Sequence, residues 1–206
     1  MPKRPARPAD SEPPTLARDK IFAVATDLFY REGVRAVGVD TIVKQAGVAK
    51  ISLYRSFPSK DDLVVAYLTT RNAEFWRQWD DAFARHADDP RAQLRTIMTY
   101  IAKRTTQPGY RGCPFINFCG EFADASHPGR KVADANKREM RRRFLAIAEA
   151  LGAREPKTLA DGLLLLVEGA YAISQTMTDR KGPGRALAWA AEALVDAQSI
   201  GRRRRA

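Results

Sequence analysis

Apolar residues in this chain recur every three to four positions and seldom alternate, a pattern that predicts helices throughout and an all-α fold. The first helix spans about Thr15 to Glu32, with Ile21, Phe22, Ala25, Leu28 and Phe29 on one stripe and Gly33 as its stop. A short helix follows over about Val39 to Ala46. Gly47-Val48 turns the chain into a third, from about Ala49 to Phe57. Pro58 breaks it, and a long fourth helix starts at once: Ser59 caps, and Asp62 stands three residues on, a capping box with Asp in place of Glu. Asp88-Asp89-Pro90 closes this helix. Five more are expected, over about Arg91–Thr105, Pro114–Ala125, Arg130–Leu151, Pro156–Thr178 and Gly184–Ser199. That makes about nine helices, three short ones before Pro58 and six mostly longer ones after it.

The third helix divides sharply by face. Leu53, Phe57 and Ala49 form a narrow apolar stripe, while Ile51, Tyr54 and Arg55 fall on the opposite arc. Ile42, Val43 and Ala46 line the inner face of the second helix, and Val48 completes a shared core. Two short helices around a glycine turn with this spacing define a helix-turn-helix, whose second helix presents its outer face to the major groove. On that face stand a cation (Arg55), a phenol able to bond phosphate (Tyr54) and an apolar group suited to a thymine methyl (Ile51). Lys50 and Ser52 add phosphate donors, and Lys60 at the next helix start marks an anion site. Spacing alone serves an ordinary αα-hairpin with a solvated polar face equally well.

Composition narrows the setting. The 206 residues carry 35 Lys and Arg against 24 Asp and Glu, a net charge of +11 that favours polyanionic partners. The surplus is not focused on the helix-turn-helix, because residues 1–62 hold only 11 of the basic and 8 of the acidic residues. Much of it sits in Lys137, Arg138, Arg141, Arg142 and Arg143 and in the Arg202–Arg205 tail, so a non-specific basic DNA-binding protein is one alternative. No run of about 18 apolar residues exists, and Glu168 interrupts the longest one; no membrane partner is expected. The Pro-rich, charged first residues read as a disordered arm with no signal peptide, which points to the cytoplasm. The two cysteines, Cys113 and Cys119, offer no disulfide framework. They form no zinc set with His127, and no nucleophile elbow, metalloprotease helix, P-loop or dinucleotide fingerprint is present. No enzyme activity and no cofactor are expected.

The stretch RDKIFAVATDLFYREGVRAVGVDTIVKQAGVAKISLYRSFPSKDDLVVAYL, Arg18 to Leu68, resembles the DNA-binding domain of the tetracycline-repressor (TetR/AcrR-type) family. The features that carry the likeness are Ala46-Gly47-Val48, a short polar run, Leu53-Tyr54-x-x-Phe57 and Ser59-Lys60-x-x-Leu63. The resemblance implies a cytoplasmic homodimer on a near-palindromic double-stranded operator, with recognition helices roughly 34–36 Å apart. It also implies a helical C-terminal domain that binds a small effector and pairs with its twin. By position, Ala49, Lys50, Ile51, Ser52, Tyr54 and Arg55 would contact DNA, with Thr41 and Lys60 on phosphates. Ser52 stands where the family usually has Thr, Ile51 where a small residue is common, and Gly38 where a hydroxyl cap is usual. The segment Arg111–Phe122, RGCPFINFCGEF, resembles one branch of the same family.

These readings give four regions: a basic, Pro-rich arm (1–14), a DNA-binding domain (15–63), an effector and dimerisation domain (64–200) and a basic tail (201–206). The last two helices are apolar on more than one side, which predicts an intersubunit four-helix bundle through Leu163, Leu166, Ala170, Ala190, Leu194 and Ala197. An apolar or aromatic effector pocket is expected among Trp76, Trp79, Phe83, Met98, Ile101, Cys113, Phe115, Phe118, Phe122, Phe144 and Tyr171. Cys113, ahead of Pro114 at a helix start, is also a candidate sensor of oxidants or electrophiles.

Overall fold

The computed structural model describes residues 14–179 and 181–203. The arm expected over 1–14 lies outside them except for Pro14, as do Arg180 and residues 204–206 of the expected basic tail. The described residues form nine helices and no strand: α1 (Pro14–Glu32), α2 (Val39–Ala46), α3 (Lys50–Ser56), α4 (Lys60–Ala84), α5 (Pro90–Thr105), α6 (Pro114–Glu121), α7 (Pro128–Ala150), α8 (Pro156–Thr176) and α9 (Lys181–Arg203). Two compact units meet in the chain between Tyr67 and Leu68, part-way along α4.

Helix starts follow local chemistry. Ser59 Oγ accepts from the Asp62 backbone N–H (3.0 Å), and the Ser59 hydroxyl donates back to the Asp62 carboxylate (2.7 Å). The shorter Asp side chain thus closes the capping box through the hydroxyl. Asp89 caps α5 by accepting from the N–H groups of Arg91 and Ala92. Proline sits in the first turn of α5, α6, α7 and α8, where its missing N–H costs nothing. α9 begins at Lys181, earlier than its glycines suggested, because Pro183 and its neighbours are tolerated in a first turn.

In the first unit, α1 packs on both α2 and α3. Ile21, Ala25, Leu28, Ile42, Leu53 and Leu63 form its centre, none more than 2% exposed. In the second unit, α7 packs on α8, and α9 lies against α5 and α8. α5 also packs on α8, and Leu94, Ile97, Met98 and Ile101 of α5 and Leu163 and Val167 of α8 are all wholly buried. Salt bridges fasten α5 to α9: Arg91 reaches Glu192 (2.6 Å) and Asp196 (2.5 Å), and Arg95 reaches Glu192 (3.1 Å).

Phe118 of α6 stacks on Phe122, with ring centroids 4.6 Å apart, and meets the His127 ring edge-on at 5.2 Å. Gly129, in the first turn of α7, lies against this cluster. A Cβ there would stand 2.5 Å from Phe118 Cζ and 2.7 Å from Cε1. Gly120 has open space around the same position. Gly129→Ala should therefore cost about 1–3 kcal/mol through overpacking, while Gly120→Ala in α6 should be neutral or gain up to about 1 kcal/mol. Urea denaturation of the two variants beside the parent checks this; equal effects would show that the contact at Gly129 has no weight.

Candidate nucleic-acid interface and effector cavity

α2 starts at Gly38, which supplies no side-chain cap, so the helix relies on burying Ile42 and Val43. Its end is defined by Gly47, with φ 66° and ψ 33°. Nothing lies within 4 Å of a Cβ placed there, so it is the left-handed backbone that calls for glycine. The Val48 N–H donates to the Val43 carbonyl (3.1 Å), and after Ala49 the chain re-enters a helix. α3 is anchored by Leu53, wholly buried, and Phe57, 3% exposed. The Phe57 ring stacks on Phe22 (6.2 Å), with the Arg18 guanidinium 5.0 Å from its centroid.

The opposite face of α3 is open. Ile51 is 66% and Tyr54 43% exposed, and Arg55 is exposed beside them. Thr41, Ala49 and Lys50 are exposed as well, and Ser52 is half-buried. Lys50 is held by Asp40 of α2 across 2.8 Å, and that hydrogen bond raises its pKa. Lys60, expected at a phosphate, is half-buried and has partners within the first unit. Its ammonium donates to the Val34 carbonyl (2.6 Å) and lies 6.0 Å from the centre of the Phe29 ring. The lysine at the α4 start thus ties back to the first unit, because the Val34 carbonyl lies within reach of its flexible stem.

The basic run on α7 is neutralised locally. Lys137 pairs with Glu168 (2.7 Å), Arg138 with Asp134 (2.7 Å) and Arg141 with Asp161 (2.5 Å). Arg142 and Arg143 both reach Glu139 at 2.7 Å, and Arg143 also meets Asp80. The hydrogen bond from Arg142, joined by Arg143, holds the Glu139 carboxyl down at about 2. A run that reads as a polyanion site in sequence is a set of ion pairs in the fold.

The second unit contains a cavity of roughly 120 Å³ between α4, α5, α6, α7, α8 and the segment leading into α6. Phe75, Phe115, Pro114 and Met140 supply apolar wall; Gln78, Asn136, Tyr110 and Tyr171 supply neutral polar groups. Three cations, Arg71, Arg104 and Lys137, face one carboxylate, Glu74. Asn136 is 1% exposed; its amide donates to Asn72 Oδ1 (2.9 Å), which also accepts from Trp76 Nε1 (2.9 Å). Burial pushes the Tyr171 phenol well above its ordinary pKa, so it stays a neutral donor. Cys113, 5% exposed, lies in the wall with its thiol 3.6 Å from the Lys137 ammonium. Both cysteines are free, and burial raises the Cys119 thiol. No group of three His, Cys, Asp or Glu among the described residues is arranged to hold a metal.

Of the expected pocket residues, Cys113, Phe115 and Tyr171 line this cavity. Trp79, Met98, Ile101, Phe118 and Phe144 belong instead to closed core, each no more than 1% exposed. Trp76 turns to Asn72 and lies under the Arg143 guanidinium (4.3 Å), Phe83 packs on Trp79 (5.4 Å), and Phe122 stacks on Phe118. Arg71, Glu74, Gln78, Arg104, Asn136 and Lys137 were absent from the aromatic reading. For the first three the signal is the polar stripe Arg71, Glu74, Gln78 that runs beside Phe75 at helical spacing on α4; Arg104, Asn136 and Lys137 carry no comparable one.

α8 and α9 also present apolar surface. Leu165 is 71% and Trp189 74% exposed. Leu166, Ala170, Ala190 and Leu194 are half-buried and Ala197 is exposed, whereas Leu163 is wholly buried in its own core. Position 163 points opposite to 165 on a helix, into the chain's own core. Leu194 packs within the chain, its Cδ1 3.3 Å from where a Gly162 Cβ would be.

Residues 21–67 match the family model described as bacterial regulatory proteins, tetR family. The chain is similar over most of its length to two solved structures. A TetR-family transcriptional regulator from Streptomyces coelicolor shares 28% identity and a TM-score of 0.85, over 90% of this chain and 97% of that one. A tetR-type transcriptional regulator from Streptomyces avermitilis shares 32% identity and a TM-score of 0.76, over 89% and 98%. The transcriptional regulator AcuR of Cereibacter sphaeroides is 30% identical over 116 residues, 55% of this chain; that match spans only about half, 53%, of AcuR.

The two faces of α3 make a direct stability test. Leu53→Ala should destabilise the first unit by about 2–5 kcal/mol, whereas Ile51→Ala should change stability by less than about 0.5 kcal/mol. Circular dichroism during urea unfolding reads both; similar losses would place Ile51 in the core and reverse the facing of the helix.

Proposed function

The chain belongs to the tetR family of bacterial regulatory proteins and is a transcriptional regulator, and from that premise we propose that it represses its target genes as an effector-released homodimer in the cytoplasm. The observation that carries the DNA half is the division of α3: Leu53 wholly buried, Ile51 and Tyr54 exposed by 66% and 43%. An apolar and a phenolic side chain held open to solvent on a seven-residue helix suit base-edge and phosphate contact in a major groove. Two such helices in a dimer would read a near-palindromic operator at half-sites one DNA turn apart. Thr41, Ala49, Lys50, Ser52 and Arg55 would complete the contact, Lys50 after leaving Asp40.

Leu165 and Trp189 support the dimer, since exposed apolar side chains on adjacent helices favour a self-complementary partner face. Ala193 and Ala197 follow Trp189 at four-residue steps and extend its stripe. The cavity would take the effector. α4 carries Arg71, Glu74, Phe75 and Gln78 of its wall and begins four residues after α3 ends, so a ligand that favours one setting of α4 shifts the population of DNA-competent dimers. Cys113 is assigned to the cavity wall: it is buried, and the Lys137 charge beside it is already shared with Glu168. The cations of the 137–143 run on α7 are not offered as a DNA surface, because each of the five has a carboxylate partner. No helix among the described residues is long and apolar enough to cross a membrane.

Selection of bound fragments from genomic DNA by the purified full chain should recover a near-palindromic sequence. Tyr54→Ala should weaken that site by about tenfold or more while light scattering still reports twice the 23.0 kDa chain mass. Trp189→Glu should shift the protein toward monomer. Recovery of random DNA, or a parent protein that runs as a stable monomer, would overturn the reading.

A further inference from the structure

The charges lining the cavity do not balance. Arg71 is paired with Glu74 (3.0 Å) and Lys137 with Glu168 (2.7 Å). Arg104, half-buried, has no carboxylate partner among the described residues. Its Nη1 donates to Tyr100 Oη (3.0 Å) and Gln78 Oε1 (3.3 Å). Neither its Nε nor its Nη2 has an acceptor among those residues. Those two nitrogens form the edge of guanidinium that grips a carboxylate with two parallel bonds. A sheltered cation without a counter-charge is costly, and an anion seated beside it removes that cost.

The remaining wall limits what can carry that anion. Phe75, Phe115 and Met140 offer contact for a flat apolar body. At 120 Å³ the space is close to the roughly 150 Å³ of an apolar cavity known to admit benzene, so it has room for about one ring. A cationic ligand would meet three cations and one carboxylate. The Asn136 side-chain oxygen has no donor among the described residues, while its NH₂ is fixed on Asn72. It therefore presents an acceptor suited to a hydroxyl on the ring.

We propose that the effector is a monocyclic aromatic monocarboxylate, its carboxylate on the Nε–Nη2 edge of Arg104 and its ring against Phe75, Phe115 and Met140. The inference rests on the reading of this cavity as the effector site and gives that site a ligand class, in place of the uncharged aromatic ligand its apolar wall alone would suggest.

Isothermal titration of the full-length protein with benzoate, salicylate and 4-hydroxybenzoate, each beside its neutral amide, tests it. At least one acid should bind, with its amide weaker by about 10- to 100-fold, the range of one charge-assisted hydrogen-bonded contact. Arg104→Gln should bring the acid down to the amide's affinity, and Arg104→Lys should restore part of the difference, as a point charge without the fork. No binding by any acid, equal binding of acid and amide, or unchanged acid binding in a folded Arg104→Gln protein would overturn the proposal. Should Arg104→Gln not fold, the acid–amide comparison on the parent chain decides alone. Operator binding without acid, measured separately, keeps the two readings apart. An operator held with no acid bound removes this inference only; an acid bound with no operator selected removes the repressor reading only.

Discussion

A helix of seven residues has no stability of its own in water, because nucleating it fixes more backbone than its few hydrogen bonds return. α3 exists because Leu53 and Phe57 are buried against neighbouring helices, with Phe57 stacked on Phe22 of α1. Everything on the outer face of α3 inherits its position from those two anchors. Gly47 sets the angle of entry, and Ala49 adds only an extended backbone at the start. The positions of Tyr54, Ile51 and Arg55 are therefore a tertiary property of the first unit, not a local property of the segment that bears them. A regulator that reads base edges needs this rigidity, since an ångström of play at the anchor is carried to every contact.

The second unit is governed by where charge finds a partner. Its surface holds many cations, yet the five of the 137–143 run on α7 are matched to carboxylates on α7 itself, α4 and α8. Arg91 and Arg95 are matched to α9 in the same way. Net charge is thus a poor guide to function in this half. What distinguishes a functional cation is a position where the fold has withheld the counter-charge, and among the cavity's three cations that position is Arg104.

Helical period and capping residues were enough to read the elements and the two faces of α3, because a seven-residue helix has room for one stripe and its opposite. The cavity was not readable in the same way. Its wall is assembled from five helices and a loop, and one helix contributes to both cavity and core: Phe75 lines the space while Trp79, one turn on, is 1% exposed in closed packing. Periodicity groups such residues together and cannot say which neighbour each meets. The same limit applies to Leu163, which shares the apolar run of α8 with Leu165 but faces the other way. Lys60 illustrates a different limit. Its partner, the Val34 carbonyl, lies 26 residues away in the chain, and no local pattern announces a backbone acceptor.

The Lys50–Asp40 pair has a consequence for the thermodynamics of DNA association. A bare cation that neutralises a phosphate frees the condensed counterion there, adding about 0.9 to the log–log dependence of affinity on salt. Should Lys50 bind a phosphate, as proposed, its ammonium is drawn from Asp40, and the freed carboxylate gathers a cation of its own from solution. Part of the ion release is returned, so binding should depend less steeply on salt than a count of cations near the recognition helix would indicate. Such a pair would act as a buffer, moderating how strongly ionic strength governs occupancy of a DNA site.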